Sequence, residues 1–268
     1  MLSEKATTLL LSSSFQSCRL KIQRADEHLE ELWREYSSWL ESNPFLLYSS
    51  PTSDVRLAYR LQIVQPEMIE RLSVILADCL HNFRTALDNF VYAIAIHETG
   101  QDPPPNAHRL EFPIFDTAQG FAAKRSRIKP LSTTVQNALE KVQPYNRPHA
   151  DLHRPLLDVL RGLNDMDKHR RLPLAVARTQ RIKIEPWTNI PIGGFAIERI
   201  ENGSLSNDDE VIAIVFSQPA PDFHLEMNLS FGCTLQYGSE EENVAIETIA
   251  NLMSEEVRAV ISEVADVL

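Results

Sequence analysis

Apolar residues recur at alternating steps of three and four from Phe15 onward: Phe15, Cys18, Ile22, Ala25, Leu29, Leu32, Tyr36 and Trp39. This heptad seam predicts a long amphipathic helix over about 12–42, with Arg19, Lys21, Arg24, Glu27, Glu30 and Glu31 among its polar positions and a stop before Asn43-Pro44. Such a seam needs a partner helix, either within the chain as part of an antiparallel bundle, the favoured arrangement, or in a second copy as a coiled coil. The pattern then changes. FLLYSS, PTSD and VRLAYRLQIV, within 45–64, read as two strands around a Pro-Thr-Ser-Asp turn. Pro66 opens a spine helix over about 67–97, whose buried stripe is Ile69, Leu72, Leu76, Leu80, Phe83, Leu87, Phe90 and Ile94.

After a loop containing Asp102-Pro103-Pro104-Pro105 come an extended piece, EFPIF at 111–115, a helix near 131–142, and a helix over 154–171 that Pro155 opens and Pro173 ends. From there to Tyr237 the segments RIKIEPW, GFAIERI, VIAIVFS and FHLEMNLSF, divided by turn residues such as Glu201-Asn202-Gly203, predict a short antiparallel sheet of about four strands. A terminal amphipathic helix occupies 240–268. The expected fold class is α+β: a helical bundle with a long N-terminal heptad helix and a spine helix, packed with a small antiparallel sheet and a C-terminal helix. Residues 1–268 read as one domain, helical over about 12–172 with a hairpin at 45–64 and a sheet at about 174–237.

Composition narrows the function. A chain of 268 residues is long enough to bury about three quarters of its unfolded surface, and its 8 Gly fit a mainly helical protein with few tight turns. A net charge of −11 means that any nucleic-acid site must concentrate its cations locally, and KRSRIK at 124–129 is the one candidate patch. Three scattered cysteines, Cys18, Cys79 and Cys233, form no CxxC pair and point to a reducing compartment. With no signal-peptide core and no apolar stretch of membrane length, the expectation is a cytoplasmic protein without a membrane partner.

Candidate chemistry lies in two polar runs inside otherwise apolar helices, ADCLHNFRTALDNFVY at 77–92 and LRGLNDMDKHRRL at 160–172. On the first, Asp78, His81, Thr85, Asp88 and Tyr92 share a face opposite the apolar stripe, flanked by Arg84; a solvated face would usually carry Lys and Glu, and this one has neither. On the second, Asp167 falls in line with the inward residues Leu156, Leu160 and Leu163. Asn164 and Arg170 flank it, and Asp158, Arg161, Asp165 and His169 lie outside. A buried Asp167 needs a partner, with Arg84, Lys168 or Arg170 available. The bland account is an ion-pair network that holds helix register, with Lys168, His169, Arg170 and Arg171 complementing the negative end of the helix dipole. The functional account makes His81, Arg84, Asp88, Asp167, His169 and Arg170 candidate catalytic residues. A metal set of Asp78, His81, Asp88, Asp165 and His169 lacks HxxxH and ExxH spacing, and no cofactor is specified. GxSxG, GxxxxGK[ST] and GxGxxG are all missing.

LHNFRTALDNFVYAIA, followed after EFPIF and VQPY by LNDMDKHRRLPL, resembles an uncharacterised family of bacterial proteins sharing L-H-N-x-R-x-A-L-D-x and L-N-x-x-D-K-H-R over about 66–175. That likeness implies an architecture and no activity. A looser resemblance is to HEPN domains, helical nuclease and nucleotide-binding bundles of toxin and phage-defence systems, in which four to six residues separate an Arg from a His on one helix. Here Arg161 and His169 are separated by seven residues, and Arg147 with His153 has the right gap but falls in a loop before Pro155. The HEPN resemblance implies metal-independent RNA cleavage in a homodimer, with His169 or His81 as general base and Arg84 or Arg170 steadying the phosphate. Three classes stay open. They are a binding or assembly protein with a protein partner or a second copy joined through the heptad helix, a HEPN-like ribonuclease acting on RNA, and a metal-dependent hydrolase.

Overall fold

The computed structural model describes residues 2–147, 154–167, 172–178, 183–187, 194–200, 204–219, 224–228, 230–236 and 243–268. Its helices are α1 (Glu4–Leu11), α2 (Gln16–Glu41), α3 (Glu67–Thr99), α4 (Ala118–Lys124), α5 (Thr133–Lys141), α6 (Leu156–Asp167) and α7 (Ile246–Ala265). Its strands are β1 (Phe45–Ser53), β2 (Arg56–Ile63), β3 (Leu174–Arg178), β4 (Lys183–Trp187), β5 (Phe195–Ile200), β6 (Ser204–Leu205), β7 (Glu210–Phe216), β8 (His224–Asn228), β9 (Phe231–Gln236) and β10 (Asn243–Ala245). This is the α+β class expected. The chain divides into two compact units, one of Met1–Trp33, Ser73–Leu172 and Glu247–Leu268, the other of Arg34–Leu72 and Pro173–Ile246.

The first unit is helical. The seam residues Phe15, Cys18, Ile22, Ala25 and Leu32 are buried within the single chain, Leu29 is half-buried, and His28 beside it is buried instead. Phe15 packs on Phe90 of α3, ring centroids 5.8 Å apart, so part of the seam's partner is intramolecular. In this unit α3 is closely surrounded: Leu76, Leu80, Phe83, Leu87, Phe90 and Ile94 are at most 1% exposed, each worth about 1.5–3 kcal/mol of burial. Local signals set the helix ends. Ser3, Thr117 and Ser132 cap α1, α4 and α5 by accepting from Ala6, Gly120 and Val135 N–H groups. Gly100, at φ +65°, ends α3 and donates its N–H to the Ile96 carbonyl. Arg258 of α7 donates to both carboxylate oxygens of Asp26 at 2.6 Å and lies over the Phe83 ring.

The second unit carries the sheets. One has order β1-β2-β7-β5, another β10-β9-β3-β6, and β4 pairs with β8; every pairing is antiparallel. The expected hairpin is present with its turn shifted to Asp54-Val55, after a register irregularity between Pro51 and Ser53. Phe45 sits between Trp39 and Phe231 at 5.2 and 5.6 Å, and Leu57, Tyr59 and Phe195 pack on Ile214 and Phe216. The pattern at 223–231, expected as one strand, contains the separate strands β8 and β9, and the terminal helix begins at Ile246 after β10. The expected turn at 201–203 and the last residues of the helix placed over 154–171 lie outside the described residues.

Candidate functional site

The polar run of α3 meets α6 and the extended segment 111–115 inside the helical unit. Asp88 Oδ1 accepts the Phe112 N–H at 2.8 Å. Arg84 Nη2 donates to the Phe112 carbonyl at 2.9 Å and reaches Asp88 Oδ1 at the same distance, so one ion pair reads both backbone groups of a single residue. Arg161 of α6 donates to the Ile114 carbonyl at 3.2 Å and to Asp158 at 2.5 Å. Gln143, fully buried, donates to the Pro113 carbonyl at 2.8 Å and accepts the Phe115 N–H at 2.9 Å. Four side chains thus satisfy five backbone groups of a segment that belongs to no strand. Fixing that backbone seats Phe112 and Ile114, 0% and 6% exposed, in the core.

Burial pushes the Arg84 guanidinium below its ordinary range, and the nearby charges of Asp88 and Asp165 oppose that shift. Its Nη1 is buried and has no hydrogen-bond partner among the described residues. His81, on the exposed face one turn earlier, places Nδ1 3.4 Å from Oδ1 of the buried Asn164. Asn82 donates to the Asp78 carbonyl and accepts from Lys21 of α2. Asp78 is exposed, as the solvated-face account expects.

The expectation that Asp167 turns inward is corrected. Asp167 is exposed at the final residue of α6, and Asn164 takes the inward polar position. The apolar stripe does point toward 167, but the last turn, with Asp165 also exposed, is open to solvent, so Asp167 needs no buried partner. His169 and Arg170, together with Lys168, Arg171 and His153, lie outside the described residues. The structure therefore brings His81 and Arg84 to α6, joins Asp88 to Arg84 and Phe112, and leaves Asp167 exposed at the end of α6.

Other chemistry finds less support. Among the described residues no three His, Cys, Asp or Glu side chains group as metal ligands would. Burial pushes the Cys18 and Cys79 thiols up to about 12, far from a reactive thiolate. In the basic patch, Arg125 bonds Gln136, Asn137 and Glu140 and Arg127 bonds Glu111, so acidic neighbours offset both guanidiniums.

Sequence reasoning gave no role to Gln143 and weighed Arg147 only for its spacing from His153. Gln143 carried a signal, because a buried Gln in VQPY requires partners for its amide. Arg147 donates to Glu263 at 2.7 Å, lies 3.4 Å from Glu256 and donates to the Val142 carbonyl. It lines two recesses that share Tyr145, about 790 Å³ beside α5 and about 370 Å³ beside the start of α6. No known protein family, curated protein or solved structure matches the chain.

Proposed function

We propose that this chain is a non-catalytic binding or assembly protein whose two polar runs act as a brace. One observation carries this reading: Arg84 and Asp88, two of the candidate catalytic residues, are bonded together with Gln143 and Arg161 to the backbone of 112–115. A guanidinium fixed to a carbonyl and a carboxylate fixed to an amide are poorly placed to take up a substrate phosphate or proton. The brace also relates the likeness in LHNxRxALD, EFPIF and VQPY to a shared architecture, since each supplies one part of it. The test incubates the chain and its His81→Ala variant with single-stranded RNA. The expected result is no cleavage by either.

The HEPN-like ribonuclease is the second reading. It is favoured by His81, exposed and 3.4 Å from Asn164 of α6, one turn from the unpartnered Arg84 Nη1. Cleavage by the chain that is lost in His81→Ala would establish it over the first reading.

A further inference from the structure

We propose that two copies of the chain associate by pairing their β1 strands, edge to edge and antiparallel, about a two-fold axis at Leu47. β1 ends the β1-β2-β7-β5 sheet, and among the described residues no strand pairs with its outer side. The phase of its free backbone follows from the ladder. The Val64 N–H donates to the Pro44 carbonyl, so with Leu46 opposite Gln62 and Tyr48 opposite Arg60, alternate residues from Pro44 to Ser50 face β2. The hydrogen bonds of Leu61 to Asp209 and of Ile63 to Asn207, away from β1, agree with this phase. Phe45, Leu47 and Ser49 consequently direct N–H and carbonyl groups to the free edge. Pro51 holds the next such position with no N–H to offer, which ends the pairable stretch.

This stretch is complementary to itself. With Leu47 opposite Leu47 of the second copy, Phe45 lies opposite Ser49 and Leu46 opposite Tyr48, so the ladder closes without a gap. Leu46 and Tyr48 are 45% and 40% exposed on the same face, and the pairing covers both. The register selects a second copy as the occupant, since the outward set Phe45, Leu47 and Ser49 is centred on Leu47 and two copies of β1 use every outward group of both. Each chain carries −11, and like charges oppose its self-association over most surfaces, yet β1 has no charged residue in nine positions. Natural edge strands are usually protected by Lys, bulges or short length. Here the irregularity and Pro51 protect only the far end, leaving Phe45–Ser49 open. So short a contact falls below the roughly 1,200 Å² typical of stable interfaces, and the dimer is reversible and concentration-dependent.

This inference names the partner of the assembly reading and rests on it. Sedimentation velocity of the full chain from about 1 μM to a few hundred μM, the range of weak complexes, measures it. The mean mass is expected to rise from 30.4 kDa toward twice that value. Leu46→Lys, which places like charges across the axis, and Ser49→Pro, which removes an outward N–H while leaving the β2 ladder intact, are each expected to hold the mass at 30.4 kDa with an unchanged circular dichroism spectrum. If Ser49→Pro does not fold, Leu46→Lys decides alone. A parent that stays monomeric throughout, including one whose partner is a different protein, overturns the proposal, as does a dimer that persists in the folded variants. RNA cleavage dependent on His81 would instead defeat the assembly reading, so the two failures are told apart.

Discussion

Replacing Arg84 by Met keeps most of the side chain's length and apolar stem while removing the guanidinium that joins Asp88 to the Phe112 carbonyl. Two contacts of 2.9 Å are lost. The carbonyl loses a charge-assisted hydrogen bond, which costs about 1.5–3 kcal/mol when the acceptor is left without a partner. Asp88 is 34% exposed at its side chain, so water recovers much of its carboxylate and the lost ion pair adds little. Relief from burying the unpartnered Nη1 offsets part of the loss. The expected net destabilisation is about 2 kcal/mol, or a fall in Tm of roughly 4–8 °C for a chain of this size. Urea unfolding of Arg84→Met, Asp88→Ala and the double variant gives the assay. The double variant is expected to cost about 1 kcal/mol less than the two singles combined, because both act on Phe112. An Arg84→Met protein within about 0.5 kcal/mol of the parent, the range of an ordinary surface change, would refute the brace.

Further outcomes follow from the same contacts. Gln143→Ala leaves the Pro113 carbonyl and Phe115 N–H unpaired and opens a cavity at a fully buried position; it should cost at least as much as Arg84→Met, measured by the same unfolding series. Burial pushes the Glu256 carboxyl above its ordinary value despite Arg147. The folded state therefore binds that proton more tightly than the unfolded chain. The associated stability is fully present below the unfolded pKa, about 4.3, and is lost as pH rises through the folded one. Glu256→Gln should remove this component, and comparison of its stability against pH with the parent's checks it. Cys18 and Cys79, buried with thiols near 12, should resist a thiol reagent at pH 8 in the native state and react at once in denaturant.

The long helices were legible because their signals are local. The seam from Phe15 to Trp39 and the stripe from Leu72 to Ile94 repeat over many turns, and Pro44 and Pro66 mark boundaries. α1 was not foreseen, since eight residues beginning at Glu4 show too little periodicity, although Ser3 is an ordinary cap. Residues 223–231 read as one strand because the apolar alternation runs on past the end of β8 at Asn228 to the start of β9 at Phe231. At the candidate site the polar residues themselves stood out, but their partners did not. Arg84, Asp88 and Arg161 bind carbonyls and an amide of 112–114, and a backbone group has no letter in the sequence. Asp167 misled for a related reason: helical periodicity says which way a residue points, and not whether anything covers it there.

The central claim concerns Phe112, and amide hydrogen exchange reads it directly. Phe112 N–H lies outside every helix and strand, yet it is bonded to Asp88 at 2.8 Å. The account predicts a slowly exchanging Phe112 amide in the parent, with protection lost there in Asp88→Ala while the amides of α3 stay slow. A Phe112 amide that exchanges in the parent at the rate of an unstructured loop would contradict it.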